Sequence, residues 1–216
     1  MNADRFKSAR RNLVNTALIP FGIKDKKVLE AFLKTPRHKF VDKKYQEEAY
    51  LDIPLPIGES QTISQPSLVA QMTELLKLKG NEKVLEVGTG SGYQAAILSR
   101  LANKVYTVEI LPKLAKKAAQ TLKKLKNNNV RVEIANGTLG LPKYAPYDAI
   151  IVTAGAKDIP KALIDQLKIG GRMVIPVGIE SGLQELKVVT KNRNKIDIKD
   201  IEPVLFVPLV GKFGWK

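Results

Sequence analysis

The sequence predicts an α/β protein built around a doubly wound, mostly parallel sheet. Three observations lead to this fold class. From Lys83 onward, short apolar strand patterns alternate with amphipathic helical patterns. A glycine-rich loop joins the first of these strands to the helix that follows it. Near the carboxyl end, two strand patterns succeed each other without a helical pattern between them, which predicts an antiparallel edge.

Two short helices are predicted ahead of the sheet. Apolar side chains recur at helical spacing in residues 5–19. Asp25 is a candidate N-cap for the second helix, and Pro36 ends it. The stretch 51–66 is interrupted by Pro and Gly, so we expect an irregular or strand-and-turn segment there. An amphipathic helix follows over residues 68–76.

The remainder of the chain supplies the elements of the sheet. Helices are predicted over residues 92–101, 112–125 and 159–167. Strands are predicted over residues 83–87, 104–109, 130–135, 147–153, 172–176, 185–190 and 201–207. Because most of these strands are connected through helices, the sheet is expected to be parallel with helices on both faces.

Composition excludes several chemistries. The 216 residues include no Cys, which rules out disulfides, thiolate metal sites and cysteine nucleophiles. A single His disfavours a histidine-rich metal site and a Ser-His-Asp triad, so we expect no metal. No apolar run is long enough to span a membrane and no secretory signal is visible, so a cytoplasmic location is expected.

The charge balance admits more than one interpretation. Lys and Arg number 36 against 21 Asp and Glu, a net charge of +15. A strongly basic chain is one mark of nucleic-acid binding. The basic residues are 28 Lys and 8 Arg, however, and Arg supplies most bidentate phosphate recognition. A solvated Lys-rich surface and a field that attracts acidic substrates are the alternatives.

The glycine loop predicts a nucleoside site. Gly88, Gly90 and Gly92 allow the backbone to bend sharply between strand and helix and to approach a ligand closely. Glu109 follows 17 residues after Gly92, at the end of the next predicted strand. A carboxylate at that position can accept hydrogen bonds from both ribose hydroxyls of a nucleoside. The alternative is a plain tight turn with a solvent-facing Glu.

The details of the loop indicate which nucleoside. Tyr93 stands where the dinucleotide fingerprint needs a small residue, and no phosphate-binding P-loop is present. The pattern G-x-G-x-G followed by an acidic residue resembles S-adenosylmethionine-dependent methyltransferases. In that class the loop after the third strand contacts adenine; here it contains Asn136, where many members have Asp, and Gly137. A simple turn is the alternative for these two residues. Glu86 would either bond the amino group of the cofactor or brace the loop.

Several motifs spread over nearly the whole chain are more specific. They are P-R-H-K-F-V at residues 36–41, Q-T-I-S-Q-P at 61–66, G-T-G-S-G-Y-Q at 88–94 and V-P-L-V-G at 207–211. Together they closely resemble the protein-L-isoaspartate O-methyltransferase family. Ser60 is a departure, because bacterial members usually have Gly there.

The resemblance implies a repair reaction. A methyl group passes from S-adenosyl-L-methionine to the free α-carboxylate of an L-isoaspartyl residue, leaving S-adenosyl-L-homocysteine. The ester closes to a succinimide, which reopens partly to normal Asp. The fold implied is a seven-stranded methyltransferase (Rossmann-like) sheet with an antiparallel edge strand and an N-terminal helical extension. Residues 1–78 would form the helices and the substrate-side segment, and residues 79–216 the S-adenosylmethionine-binding core, in one compact unit.

The resemblance also assigns site residues. Ser64 would be the active-site residue, and we expect its hydroxyl to orient the acceptor carboxylate. An N-cap role for Ser64 at the following helix is the alternative. Substrate contacts would come from Gln61, Thr62, Ile63 and Ser64. Cofactor contacts would come from Glu86, Gly88, Thr89, Gly90, Ser91, Gly92, Glu109, Asn136 and Gly137.

Two other functions compete with this interpretation. The charge leaves room for an RNA or DNA methyltransferase, and the glycine loop alone would suit a nucleoside-binding module without catalysis. The expected partners are isoaspartyl proteins and peptides. We expect neither a membrane nor a nucleic acid as partner, and take the chain as a monomer by default.

Overall fold

A computed structural model describes residues 3–180 and 182–215. The ends of the two predicted segments therefore fall partly outside the described residues, at Met1, Asn2 and Lys216. None of the described helices is long and apolar enough to cross a membrane.

The amino-terminal helices pack against helices of the sheet domain. Helix α1 (Ala3–Leu13) continues through a π-helical stretch, Val14–Leu18, into the short α2 (Ile19–Phe21). Helix α3 (Lys26–Lys34) begins as predicted at Asp25, whose side chain accepts a hydrogen bond from the Lys27 amide. Apolar side chains of these helices share one core with helices of the sheet domain, for example Leu18 and Phe32 with Ile97 and Leu114.

The predicted strand-and-turn segment contains a two-stranded hairpin. Strands β1 (Leu55–Gly58) and β2 (Gln61–Ile63) are antiparallel, and Glu59 and Ser60 form the two-residue loop. Both loop residues have positive φ, 51° and 57°. A two-residue hairpin loop with positive φ at both positions is the one that best matches strand twist, and glycine suits its second position.

Ser60→Gly is therefore expected to stabilise the protein. A residue with a Cβ in the left-handed region is strained, whereas glycine is not, and the extra entropy of glycine in the unfolded chain offsets part of the gain. We expect the free energy of unfolding to rise by roughly 0.5–1 kcal/mol, measured by urea denaturation. Ser8→Gly, in the exposed part of α1, is the control and should change stability in the opposite direction. Equal effects of the two substitutions would contradict this explanation.

The sheet domain follows the predicted alternation. Its helices are α4 (Pro66–Leu75), α5 (Tyr93–Leu98), α6 (Pro112–Lys124) and α7 (Lys161–Gln166). Its strands are β3 (Lys83–Val87), β4 (Lys104–Glu109), β5 (Val130–Ile134), β6 (Tyr147–Val152), β7 (Leu167–Gly178), β8 (Gln184–Lys191) and β9 (Ile196–Val204).

The strand order is β5-β4-β3-β6-β7-β8-β9. The ladders from β5 through β7 are parallel, whereas β8 pairs antiparallel with both β7 and β9. The predicted seven-stranded sheet with an antiparallel edge is thus confirmed. Leu85 packs with Leu163 of α7 on one face, and Val84 packs with Met72 of α4 and Leu98 of α5 on the other.

The last strand lies earlier than predicted. We expected residues 201–207, but β9 spans Ile196–Val204. Its first residues are mostly exposed and alternate apolar with charged side chains, so they lack the apolar run that marks a buried strand. After Val204 the chain leaves the sheet, because the Phe206 amide donates to the side-chain oxygen of Gln184 at 2.7 Å.

Candidate active site

A cleft of about 310 Å³ opens where the carboxyl ends of β3, β4 and β6 meet. The β1–β2 hairpin and the segment after β9 complete its walls. Ten of the thirteen predicted site residues line it: Gln61, Thr62, Ile63, Ser64, Gly88, Thr89, Gly90, Ser91, Glu109 and Gly137. The other three, Glu86, Gly92 and Asn136, are not part of its lining.

The glycine loop is fixed to both neighbouring strands. The amides of Gly88 and Thr89 donate to the Val108 carbonyl at 2.9 and 3.1 Å. The Thr153 hydroxyl, just after β6, donates to the Gly88 carbonyl at 2.6 Å. A Cβ on Gly88 would run into that hydroxyl, and the φ of Gly88 is 98°, so only glycine fits there. Gly92 serves packing instead, because a Cβ there would press on Ala118 of α6.

The carboxylate of Glu109 accepts hydrogen bonds from two backbone amides and can accept two more. One carboxylate oxygen accepts from the Gly90 amide at 2.8 Å, and the other from the Leu111 amide at 3.1 Å. A carboxylate has about four acceptor positions, two on each oxygen. Each oxygen therefore has one position left, on a side chain that lines the cleft. Two free positions match the two hydroxyls of a ribose.

The side chain of Asn136 forms its hydrogen bonds within the turn that contains it. Its side-chain oxygen accepts from the amide of Thr138 at 3.1 Å and from the hydroxyl of Thr138 at 2.7 Å. Both lone pairs of that oxygen are used, so an adenine contact would have to come from the amide nitrogen. Gly137 reaches the cleft wall because its missing side chain lets the backbone lie against Val87.

Glu86 is fully buried on β3. Neither carboxyl oxygen has a hydrogen-bond partner among the described residues. Burial, with a smaller contribution from the negative charge of Glu109, raises the pKa of Glu86 to about 8. The Thr107 hydroxyl beside it moderates the rise but forms its hydrogen bond with Thr89. Its side chain lies on the buried face of the sheet that α4 and α5 cover, because it shares that face with Val84.

Ser64 does not cap helix α4. The N-cap is Gln65, which makes no side-chain capping bond, and the Ser67 amide donates instead to Asp52 at 2.7 Å. The Ser64 hydroxyl makes no hydrogen bond to the part of the chain that the structure describes, and the residue lines the cleft. The alternative role of Ser64 is thus wrong, and its hydroxyl is available to a ligand.

The segment after β9 forms a wall that the sequence patterns did not identify as part of the site. Residues 206–210 line the cleft. The Val207 carbonyl accepts from the Gly155 amide at 2.8 Å, and the Trp215 indole donates to the Gly155 carbonyl at 3.0 Å. The Phe213 amide donates to the Thr138 hydroxyl at 3.1 Å, which ties this wall to the Asn136 turn. The V-P-L-V-G motif is the signal that could have placed it here.

A model of the family protein-L-isoaspartate(D-aspartate) O-methyltransferase matches residues 9–214. A protein-L-isoaspartate O-methyltransferase of Geobacter metallireducens is 52% identical to the chain over 97% of both sequences. One of Syntrophobacter fumaroxidans is 53% identical over 98% of both.

Two solved structures with similar names superimpose on most of the chain. A protein-L-isoaspartate O-methyltransferase superimposes with a TM-score of 0.87 at 32% identity, over 95% of this chain and 67% of the other. A chain from Plasmodium falciparum, solved with S-adenosyl-L-homocysteine, superimposes with a TM-score of 0.78 at 27% identity over 94% and 96%.

Proposed function

The chain belongs to the protein-L-isoaspartate O-methyltransferase family, and on this premise we propose which of its residues carry out the reaction. The activity is transfer of a methyl group from S-adenosylmethionine to isoaspartyl residues of proteins. The observation that carries the assignment is Ser64, which lines the cleft and whose hydroxyl has no hydrogen-bond partner among the described residues. Ser64 also lines the small pocket that adjoins the cleft.

The cleft suits the cofactor. Glu109 offers two free acceptor positions for ribose hydroxyls, and the Gly137 backbone approaches the cleft without a side chain. The loop from Gly88 to Ser91 would hold the methionine part. When bound, S-adenosylmethionine supplies a methyl carbon on a positively charged sulfur, and the electron pair of the broken carbon–sulfur bond stays on sulfur.

The acceptor would enter beside Ser64. A smaller pocket of about 70 Å³ adjoins the cleft, and Thr62, Ser64 and Thr153 line both. Pro54 and Leu205 border the small pocket on its outer side. We assign the isoaspartyl carboxylate to the junction of the two pockets, where the Ser64 hydroxyl donates a hydrogen bond to one oxygen and leaves the other facing the methyl donor.

The chain needs no general base for this reaction. A free α-carboxylate has a pKa of about 3.5 and is ionised at neutral pH. Ser64 therefore orients a nucleophile that the substrate brings, and the apolar wall formed by Phe206 and Leu209 excludes water. Among the described residues no group of three acidic, His or Cys side chains is arranged to hold a metal ion.

In this proposal the two predicted segments bind different substrates, the first the acceptor and the second the cofactor. Residues 1–78 contribute the Q-T-I-S segment to the acceptor side, and residues 79–216 contribute the glycine loop and Glu109. A cytoplasmic location, a monomeric state and the lack of a nucleic-acid partner stay predictions.

A paired-peptide assay tests the proposed function. The protein is given S-adenosylmethionine labelled in the methyl group, with two peptides that differ only in an isoaspartyl or an aspartyl residue. We expect base-labile label on the isoaspartyl peptide and none on its aspartyl twin. Label on RNA without any peptide ester would contradict the proposal, and cofactor binding without transfer would favour a binding module.

A further inference from the structure

Glu86 is a buried acid that the methyl transfer does not itself require. It is completely shielded from solvent, and neither of its oxygens has a hydrogen-bond partner in the described chain. A carboxyl group in such surroundings stays neutral unless a cation comes near, because the interior cannot solvate its charge. A cationic ligand bound in the neighbouring cleft would therefore change the protonation of Glu86.

The neighbouring strands place one charged group near Glu86. The register sets Glu86 opposite Thr107 on β4 and opposite Ile151 on β6. Glu109 follows two residues after Thr107, so its side chain points to the same face of the sheet. The Thr107 hydroxyl is bonded to Thr89, which lines the cleft, at 2.6 Å. Only one polar layer thus separates Glu86 from the cleft.

The helices on this face add no charge near Glu86. Met72 of α4 is apolar and belongs to the core on this side of the sheet. Gln94 of α5 donates to Thr73 of α4 at 2.9 Å, so these two polar groups satisfy each other. Among the described residues, Glu109 is therefore the charged group whose field acts on Glu86.

Burial and Glu109 act in the same direction. They raise the pKa of Glu86 to about 8, so at neutral pH the free protein holds the proton. A positive charge in the cleft acts in the opposite direction, because it stabilises the carboxylate across a medium of low dielectric constant.

We propose that Glu86 releases its proton when the cationic cofactor binds and takes a proton from solvent once the methyl group has been transferred. The inference rests on the proposed function, in which the bound molecule loses one positive charge on becoming S-adenosylhomocysteine. The neutral Glu86 then no longer holds the product. Glu86 would accordingly act as a counter-charge that favours the substrate form over the product form.

Calorimetry tests the proposal without turnover. Titrations of S-adenosylmethionine and of S-adenosylhomocysteine, in buffers of different ionisation enthalpy at pH 7, count the protons released by the wild type and by Glu86→Gln. We expect the wild type to release close to one more proton than the variant with S-adenosylmethionine, and a clearly smaller excess with S-adenosylhomocysteine. The α-amino group of each ligand also titrates, but its contribution cancels because the same ligand is compared on the wild type and on the variant.

The pH dependence of affinity gives a second measurement on the wild type alone. Between pH 6 and 8 the preference for S-adenosylmethionine over S-adenosylhomocysteine, corrected for the measured titration of each ligand's α-amino group, should rise by up to about tenfold per pH unit. His38, the single histidine, does not interfere, because burial lowers its pKa to about 4. This measurement decides the question even if Glu86→Gln does not fold.

Glu185→Gln, on β8 away from the cleft, is the matched control and should behave as the wild type. Equal proton release by wild type and Glu86→Gln, or a ligand preference that does not change with pH, would overturn the inference while leaving the methyl transfer intact. Failure of the proposed function would show differently, as no base-labile label on the isoaspartyl peptide in the paired-peptide assay.

Discussion

Ser64→Ala is expected to lower kcat on an isoaspartyl peptide by roughly 100-fold, the effect of removing one hydrogen-bond donor aimed at a reacting group. The affinity for S-adenosylhomocysteine should change less than twofold, because Ser64 stands at the acceptor end of the cleft. The melting temperature should also stay constant, since the hydroxyl makes no bond to the described chain and α4 is not capped by it. Single-turnover kinetics with labelled cofactor measures the step directly.

Two further measurements distinguish orientation of the acceptor carboxylate by Ser64 from other roles of this residue. Ser64→Thr keeps a hydroxyl and should recover part of the rate, whereas a purely steric role would make it worse than alanine. The pH profile of Ser64→Ala should keep the shape of the wild-type profile, because the acceptor and not the serine titrates. A variant with unchanged kcat would remove Ser64 from the reaction and leave the small pocket without a function.

Local patterns predicted most of the sheet because each element had its own signal. The strands β3, β4 and β6 are apolar and buried, and the glycine loop marks the turn after the first of them. Residues 196–200 of β9 gave no such signal, since this exposed edge is held by pairing with β8 and alternates apolar with charged side chains. Its end is set by a contact 22 residues away, between Phe206 and Gln184, which no local pattern reveals.

The site divides in the same way. The loop glycines and Glu109 were predictable because their spacing follows from one strand–helix–strand unit. The role of Asn136 was not, because the bonds to Thr138 that occupy its oxygen depend on how the turn closes. Nor does the sequence reveal that Asp52, and not Ser64, bonds the first turn of α4. In both cases a competing polar partner decides what a side chain is free to do.

Glu109→Gln should weaken the binding of S-adenosylhomocysteine by roughly 10- to 100-fold, the loss of about 1.5–3 kcal/mol that hydrogen bonds to a charged group contribute. The carboxylate accepts from two loop amides, Gly90 and Leu111, and has two positions left for ribose. An amide has only one oxygen, so its NH₂ group must face one of these donors. Calorimetric titration measures the loss, and Glu133→Gln on the neighbouring β5, outside the cleft, is the control.

A thermodynamic cycle that combines Glu109→Gln with a modified ligand distinguishes ribose binding by Glu109 from its bracing of the glycine loop. An S-adenosylhomocysteine analogue without the ribose hydroxyls should bind the wild type less tightly. The further loss of affinity caused by Glu109→Gln should be smaller for this analogue than for S-adenosylhomocysteine. If the carboxylate only braced the loop, the substitution would weaken both ligands by the same factor. The difference between the two losses is the coupling between Glu109 and the ribose. A coupling near zero would mean that Glu109 shapes the glycine loop and that the ribose is bound elsewhere, which would in turn reassign the nucleoside half of the cleft.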